Sequence, residues 1–466
     1  MRKAIALLFV IVLLVSSLVF IQEPVLASTA GENTWVSRAP MHEARRDLGV
    51  VAVDGKIYAI GGTTETWHSF TGLGENIGGV VGTNEEYDPI TNAWIYKQPM
   101  PTPLANFAIA VCQNKIYCVD RSIMEVYDPA TDIWETKESM PTARDGVQAN
   151  VVNGKIYFIG GHTNPESYIN YDYRSSLLHV NEVYDPATDS WSTKAPIPIG
   201  DAYYVSAVVD NNIYIIGSRE TQIYNAVNDT WRHGPPLGSQ HTVAVATTGL
   251  MAPKLIYALG ITKNSDSILA GSVLADRNVH VYDPKTDTWT FGANIPSERV
   301  DFGAAVVDDK VYVVGGLLSA SADMFSATYR NTAANDQYIP FGYGTIPPML
   351  SLDSPTSGNY SLGEVSLNFT VSRAVNWSGY SLDGQENVTV SGNTTIAGLA
   401  NGKHNITIYA KDEFGNVVSS ETRFFDIEVP EPFSTVPIVA TLSASSVAII
   451  CVGVFFYLRK RKHSFN

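Results

Sequence analysis

Three arginines stand at one aligned position in repeated loops: Arg45 in MHEARRD, Arg144 in MPTARDG and Arg299 in IPSERVD. A guanidinium is a planar fork of donors that matches a carboxylate bidentately. Three of them around one opening would grip acidic sugars or carboxylate side chains. Asp145, Asp201 and Asp301 lie in the same set of loops. They offer a second reading, in which each arginine pairs with a nearby aspartate or a loop carbonyl and holds the loop in place. Both readings stay open at this point, with Arg45, Arg144, Arg299, Asp145 and Asp301 as the candidate ligand-binding residues.

Other chemistry is sparse. His42, His68, His162 and His241 fall in or near these loops, but no pair has metal-ligand spacing. No nucleophile elbow, phosphate loop or zinc signature is present, so neither a metal nor a cofactor is expected. A formal net charge of −15, with no basic patch in the repeats, argues against nucleic acid as a partner. Of three cysteines, Cys451 sits in an apolar tail, leaving Cys112 and Cys118. If Gln113 and Asn114 form a two-residue turn, Cys112 pairs with Lys115 and Cys118 with Ile109. The two sulfurs then lie on opposite faces of one hairpin and do not bridge.

A repeat must position these loops. The phrases YDPITNAW, YDPATDIW, YDPATDSW and YDPKTDTW start at Tyr87, Tyr127, Tyr184 and Tyr282, with a worn copy, YNAVNDTW, at Tyr224. An apolar hairpin precedes each, as in VVAVDGKIYAIGG and NVVNGKIYFIGG, and a sixth hairpin, AVVDDKVYVVGG, comes last. Asp54-Gly55 and Asn153-Gly154 favour the tight primed turns that close such hairpins. Asp-Pro after the Tyr starts a turn, and Trp opens a fourth strand. Each repeat therefore makes four strands, the first of them rich in Gly and Ala, as suits strands crowded about an axis.

Paired Gly after an apolar strand, then Tyr and Trp seven apart, resembles the kelch β-propeller family over residues 33–341. Gly61-Gly62, Gly160-Gly161 and Gly315-Gly316 keep the pair. Asp120-Arg121, Gly217-Ser218 and Gly260-Ile261 depart from it. The last hairpin has a third-strand candidate at Asn335 to Tyr338 but no Trp strand, and Trp35 in NTWVSRAPM has no hairpin. Joining them gives an all-β, six-bladed propeller closed by its N-terminal strand. Successive turns alternate between the two faces of such a disc. The arginine loops then share one face with the connections between second and third strands, which are long in repeats one, three, five and six.

The ends of the chain add further expectations. Arg2 and Lys3 before the apolar run Ala4 to Phe20 read as a signal peptide over 1–27. Residues 437–458 carry no charge and are followed by a basic tail at 459–466. A helix of that length spans the ~30 Å of bilayer hydrocarbon, and basic residues stay cytoplasmic. The expectation is a single-pass plasma-membrane protein with extracellular domains, and VPEPFSTVP with this tail resembles archaeal surface proteins. Between propeller and span, alternating strands over 349–428 suggest a β-sandwich, and GLANGKHNITIYAKDEFGN resembles Ig-like domains of prokaryotic surface proteins. Glycosylation sequons occur at Asn228, Asn359, Asn368, Asn376, Asn387, Asn393 and Asn405.

The whole reads as a cell-surface binding or adhesion protein whose propeller holds a protein or glycan. The resemblance also admits a surface carbohydrate-active enzyme, an oxidase or a mutarotase-like protein. Kelch copper oxidases use a Tyr crosslinked to Cys, and Cys112 and Cys118 lie in no such motif.

Overall fold

The computed structural model describes residues 31–65, 78–121, 123–163, 176–217, 220–237, 240–262, 275–319 and 329–430. The chain divides into two compact units, Met1–Ile346 and Pro347–Asn466. No α-helix occurs among the described residues.

Among its described residues the first unit contains six antiparallel sheets of four strands and one small sheet of three. In the first sheet the strands run in order Gly49–Val53, Lys56–Ile60, Asn84–Asp88 and Ala93–Lys97. The hairpin turn uses left-handed residues, Asp54 at φ 48° and Gly55 at φ 74°, as a type I′ turn requires. Each innermost strand packs on the next, and the last, Gly303–Val307, packs back on the first, Gly49–Val53. Crowding there explains the small residues. A Cβ on Gly303 would fall 2.2 Å from Val50 Cγ2, and one on Gly49 would fall 2.6 Å from Ile109 Cδ1.

The sixth sheet joins both ends of the unit. Thr34–Arg38 pairs with Asn335–Ile339, which pairs with Lys310–Val314 and then Gly303–Val307. Trp35 stands opposite Tyr338. Aromatic rings cement neighbouring sheets by one rule, in which a second-strand Tyr meets the third-strand Tyr of the following sheet. Tyr58 meets Tyr127 and Tyr157 meets Tyr224, and the series returns on itself where Tyr312 meets Tyr87 at 6.0 Å. Such tilted pairs add roughly 0.5–1.5 kcal/mol each beyond the apolar area they bury.

Among its described residues the second unit has two sheets around one core. Leu350–Ser354, Glu364–Val371 and Thr394–Ala397 form one. The other is built on Gly402–Lys411, with Trp377–Leu382 and Arg423–Ile427 beside it. Alternation along Glu364–Val371 turns Val365, Leu367 and Phe369 inward against Ile406, Ile408 and Phe425.

The expected single span at 437–458, and with it the placement in the plasma membrane with extracellular domains, is corrected. No helix among the described residues is long and apolar enough to cross a membrane. The stretches expected as leader (1–27), span and basic tail (459–466) lie outside the described residues. So do 66–77, 164–175, 263–274 and 320–328, which hold most of the long connections.

Candidate ligand-binding site

The three aligned arginines are not at a surface. Arg45 and Arg299 are 0% exposed and Arg144 is 1% exposed. Arg45 donates to the carbonyls of Gly61 (2.6 Å), Thr83 (2.9 Å) and Ala59 (3.2 Å) and to Glu85 Oε1 (3.0 Å). Arg144 donates to the carbonyls of Phe158 and Thr142 and to Glu182. Arg299 donates to the Val313 carbonyl (3.2 Å) and to Asp336 Oδ2 (2.7 Å). Each guanidinium thus ties the end of a second strand to a third-strand carboxylate of its own sheet. Burial pulls the Arg45 and Arg299 pKa values down, and Glu85 and Asp336 oppose that by stabilising the charge. The expected open ring of three cations is therefore corrected. Carboxylates on the third strands, not the loop aspartates, are the partners.

Among the other candidates, Asp145 forms an ion pair with Arg121, which stands where the glycine pair is lost. The Asp201 carboxylate lies against Gly217, where an added Cβ would collide with it. His42 Nδ1 meets Glu85 Oε2 at 2.8 Å, and buried His162 meets the Tyr203 hydroxyl at 2.7 Å. His68 and the side chain of His241 lie outside the described residues. Among the described residues no group of three or more His, Cys, Asp or Glu could hold a metal ion. Cys112 pairs with Lys115 and Cys118 with Ile109, and both thiols are free.

The same loops build something else two residues past the arginine position. Asp47, Asn106, Gly146, Tyr203 and Asp301 occupy that place, all left-handed, with φ of 54°, 54°, 69°, 57° and 56°. Asp, Asn and Gly tolerate this region, and Tyr203 is the exception. The backbones link around the axis. Asp47 N–H donates to the Asp301 carbonyl (2.8 Å), Asn106 N–H to the Asp47 carbonyl (2.9 Å) and Tyr203 N–H to the Gly146 carbonyl (2.9 Å).

This collar surrounds a cavity of about 260 Å³, whose wall includes Asp47, Asn106, Phe107, Gln148, Tyr203 and Asp301. A shaft of about 490 Å³ is lined by all six inner strands through Val51, Val111, Val151, Ala207, Val245 and Ala305. Val50 and Ala304 line both spaces. Burial, and then the neighbouring Asp47, push the Asp301 carboxyl up to about 7, against Arg46. Burial also raises Asp47, while its ion pair with Arg46 opposes the shift. The collar thus puts two carboxyl groups on the cavity wall where an arginine mouth was expected. Of its residues, sequence reasoning singles out only Asp301. The signal for the rest is the alignment of residues that favour positive φ.

Two sequence comparisons bear on this arrangement. Residues 44–101 match the Kelch motif, and residues 119–316 match the KLHDC2/KLHL20/DRC7 Kelch-repeats domain. The chain carries a kelch-repeat propeller. Its kelch repeats are 26% identical over 284 residues to Kelch-like protein 35 of Mus musculus, covering 61% of this chain and 29% of that protein. Kelch-like protein terF of Aspergillus terreus is 27% identical over 300 residues, covering 62% of this chain and 54% of that one. Halomucin of Haloquadratum walsbyi is 33% identical over 141 residues, covering 27% of this chain and 2% of that one. The chain thus spans little more than half of these relatives at most. The solved "Structure of YjhT" is similar at a TM-score of 0.47 and 13% identity, covering 63% of this chain and 95% of that one.

Proposed function

We propose that this protein is a binding protein whose six-bladed kelch propeller holds a protein or glycan over the axial cavity, followed by an Ig-like β-sandwich. Kelch propellers support a binding role in general, and the observation that carries the reading here is the collar. Asn106, Gln148 and Asp301 line an open cavity, yet among the described residues none of their side chains makes a hydrogen bond. Polar groups held ready on a fixed ring beside Phe107 and Tyr203 are the makings of a recognition site. The acidic sign opposes anionic ligands.

Replacing Asn106 by Gly keeps its left-handed backbone, and Gln148→Ala removes a second polar arm. A protein or glycan captured by the whole chain is expected to be lost on this double variant while the melting temperature holds. Unchanged binding would exclude the collar face.

The sequon asparagines belong to the same proposal as glycan acceptors. Asn228, Asn359, Asn368, Asn376, Asn387 and Asn393 are exposed, and Asn405 is half-buried. Peptide mass analysis of protein from its native source tests this, and unmodified peptides at all seven positions would refute it.

A further inference from the structure

With the collar as the binding face, the chemistry of its wall selects among ligands, and the inference rests on that proposed function. Circular closure brings together Asp47 from the first repeat and Asp301 from the last, whose backbones are joined by the Asp47 N–H to Asp301 carbonyl bond. Arg46 engages the Asp47 carboxylate, while the Asp301 carboxylate receives no hydrogen bond among the described residues. The other repeats bring Asn106, Gln148, Tyr203, Tyr204 and Thr242 to the wall. Two carboxylates thus face one cation. Asp301 has lost part of its hydration and gained no donor in exchange, so it is the group that a bound donor would satisfy.

The rest of the wall decides what kind of donor fits. Ile109, Val243 and Phe302 are apolar, and the shaft beyond is largely Val and Ala. A group that is polar at one end of an aliphatic stem can set its charge on Asp301 and lay its stem along these surfaces. The net charge of −15 adds long-range attraction for cations. We infer that the collar accepts a lysine or arginine side chain of a protein partner, its charged end hydrogen-bonded to Asp301 and its stem between Phe107 and Tyr203.

Calorimetric titration of the full chain with tetralysine, tetraglutamate and cellotetraose tests this, using Asp301→Asn, the Asn106→Gly/Gln148→Ala variant, and Asp353→Asn in the second unit as a control. Tetralysine is expected to bind, and about tenfold more weakly to Asp301→Asn, in line with loss of one charge-assisted contact. Asp353→Asn should bind as the parent does. Binding should also strengthen between pH 6 and pH 8, roughly where the carboxyl at about 7 ionises. Equal weakening by Asp301→Asn and Asp353→Asn, or preference for tetraglutamate or cellotetraose, would overturn the assignment. A ligand lost on Asn106→Gly/Gln148→Ala but indifferent to Asp301→Asn would overturn the cation alone and leave the face standing. Indifference to all the collar changes would remove both.

Discussion

The side-chain oxygen Oδ1 of Asn33 accepts a hydrogen bond from the hydroxyl of Tyr338, at 2.7 Å and 305 positions away along the chain. The same oxygen accepts the backbone N–H of Ala293 at 2.6 Å. Asn92 does both jobs within the first repeat, taking the Tyr87 hydroxyl and the Ala39 N–H. Asp132 and Asp229 do so in the second and fourth repeats. Asn33 at φ 56° and Asn92 at φ 53° share the left-handed backbone as well. The N-terminal segment therefore completes a repeat by supplying the final turn residue and fourth strand that the last hairpin lacks.

Asn33→Ala and Asn92→Ala should each lower stability by about 1–3 kcal/mol, since each leaves two donors unmet and strains a positive φ. Removing 31–38 should do far more, because Asn335–Ile339 becomes an open sheet edge. Urea unfolding and light scattering check this. A truncated chain that unfolds with the parent's midpoint and stays monomeric would contradict closure by this strand.

Arg144→Ala should cost about 3–5 kcal/mol, because it leaves Glu182 buried without its charge partner. Arg45→Ala and Arg299→Ala act alike through Glu85 and Asp336. Any ligand binding should be lost only in step with unfolding. An arginine variant that keeps the parent's stability while losing ligand would restore these residues as a ligand grip.

What the sequence made legible was whatever repeats with a side-chain signature. Tyr, Trp and the Asp or Asn before the Trp make hydrogen bonds that recur from sheet to sheet, so their spacing carried the strand order. The arginines were aligned correctly and their partners were not. Glu85, Glu182 and Asp336 lie in third strands, and only the pairing of Lys56–Ile60 with Asn84–Asp88, and its counterparts, brings them under the loop. The collar was harder to see, since its members share a backbone conformation and not a residue type. Asp47, Asn106, Gly146 and Tyr203 align only once positive φ is known.

Asp301 gives stability a pH dependence of definite sign. Its carboxyl is raised from 3.8 to about 7 in the folded protein. Between those values the folded state holds a proton that the unfolded state has released. The contribution of this group to stability therefore falls as pH rises from about 4 to about 7, and is level outside that window. Asp301→Asn should abolish this slope, so the difference in melting temperature between variant and parent should grow in favour of the variant up to about pH 7. A difference that is flat with pH would show that Asp301 titrates as an ordinary carboxyl.

Cys112 and Cys118 should be inert thiols. They are 2% and 0% exposed, and burial pushes both upward, Cys118 well above the usual thiol range. The attacking species is the thiolate, so raised values and closed access act together against reaction. Their register puts them on opposite faces of the hairpin, Cys112 across from Lys115 and Cys118 across from Ile109, out of reach of each other. In a Cys451→Ser background, a chromogenic disulfide reagent at pH 8 should label neither within minutes in native buffer and both at once in denaturant. Oxidation should produce no internal crosslink between them. Rapid labelling of the folded chain would mean that this hairpin opens, and with it the wall between the second and third sheets, where Cys112 packs with Tyr117 and Tyr184.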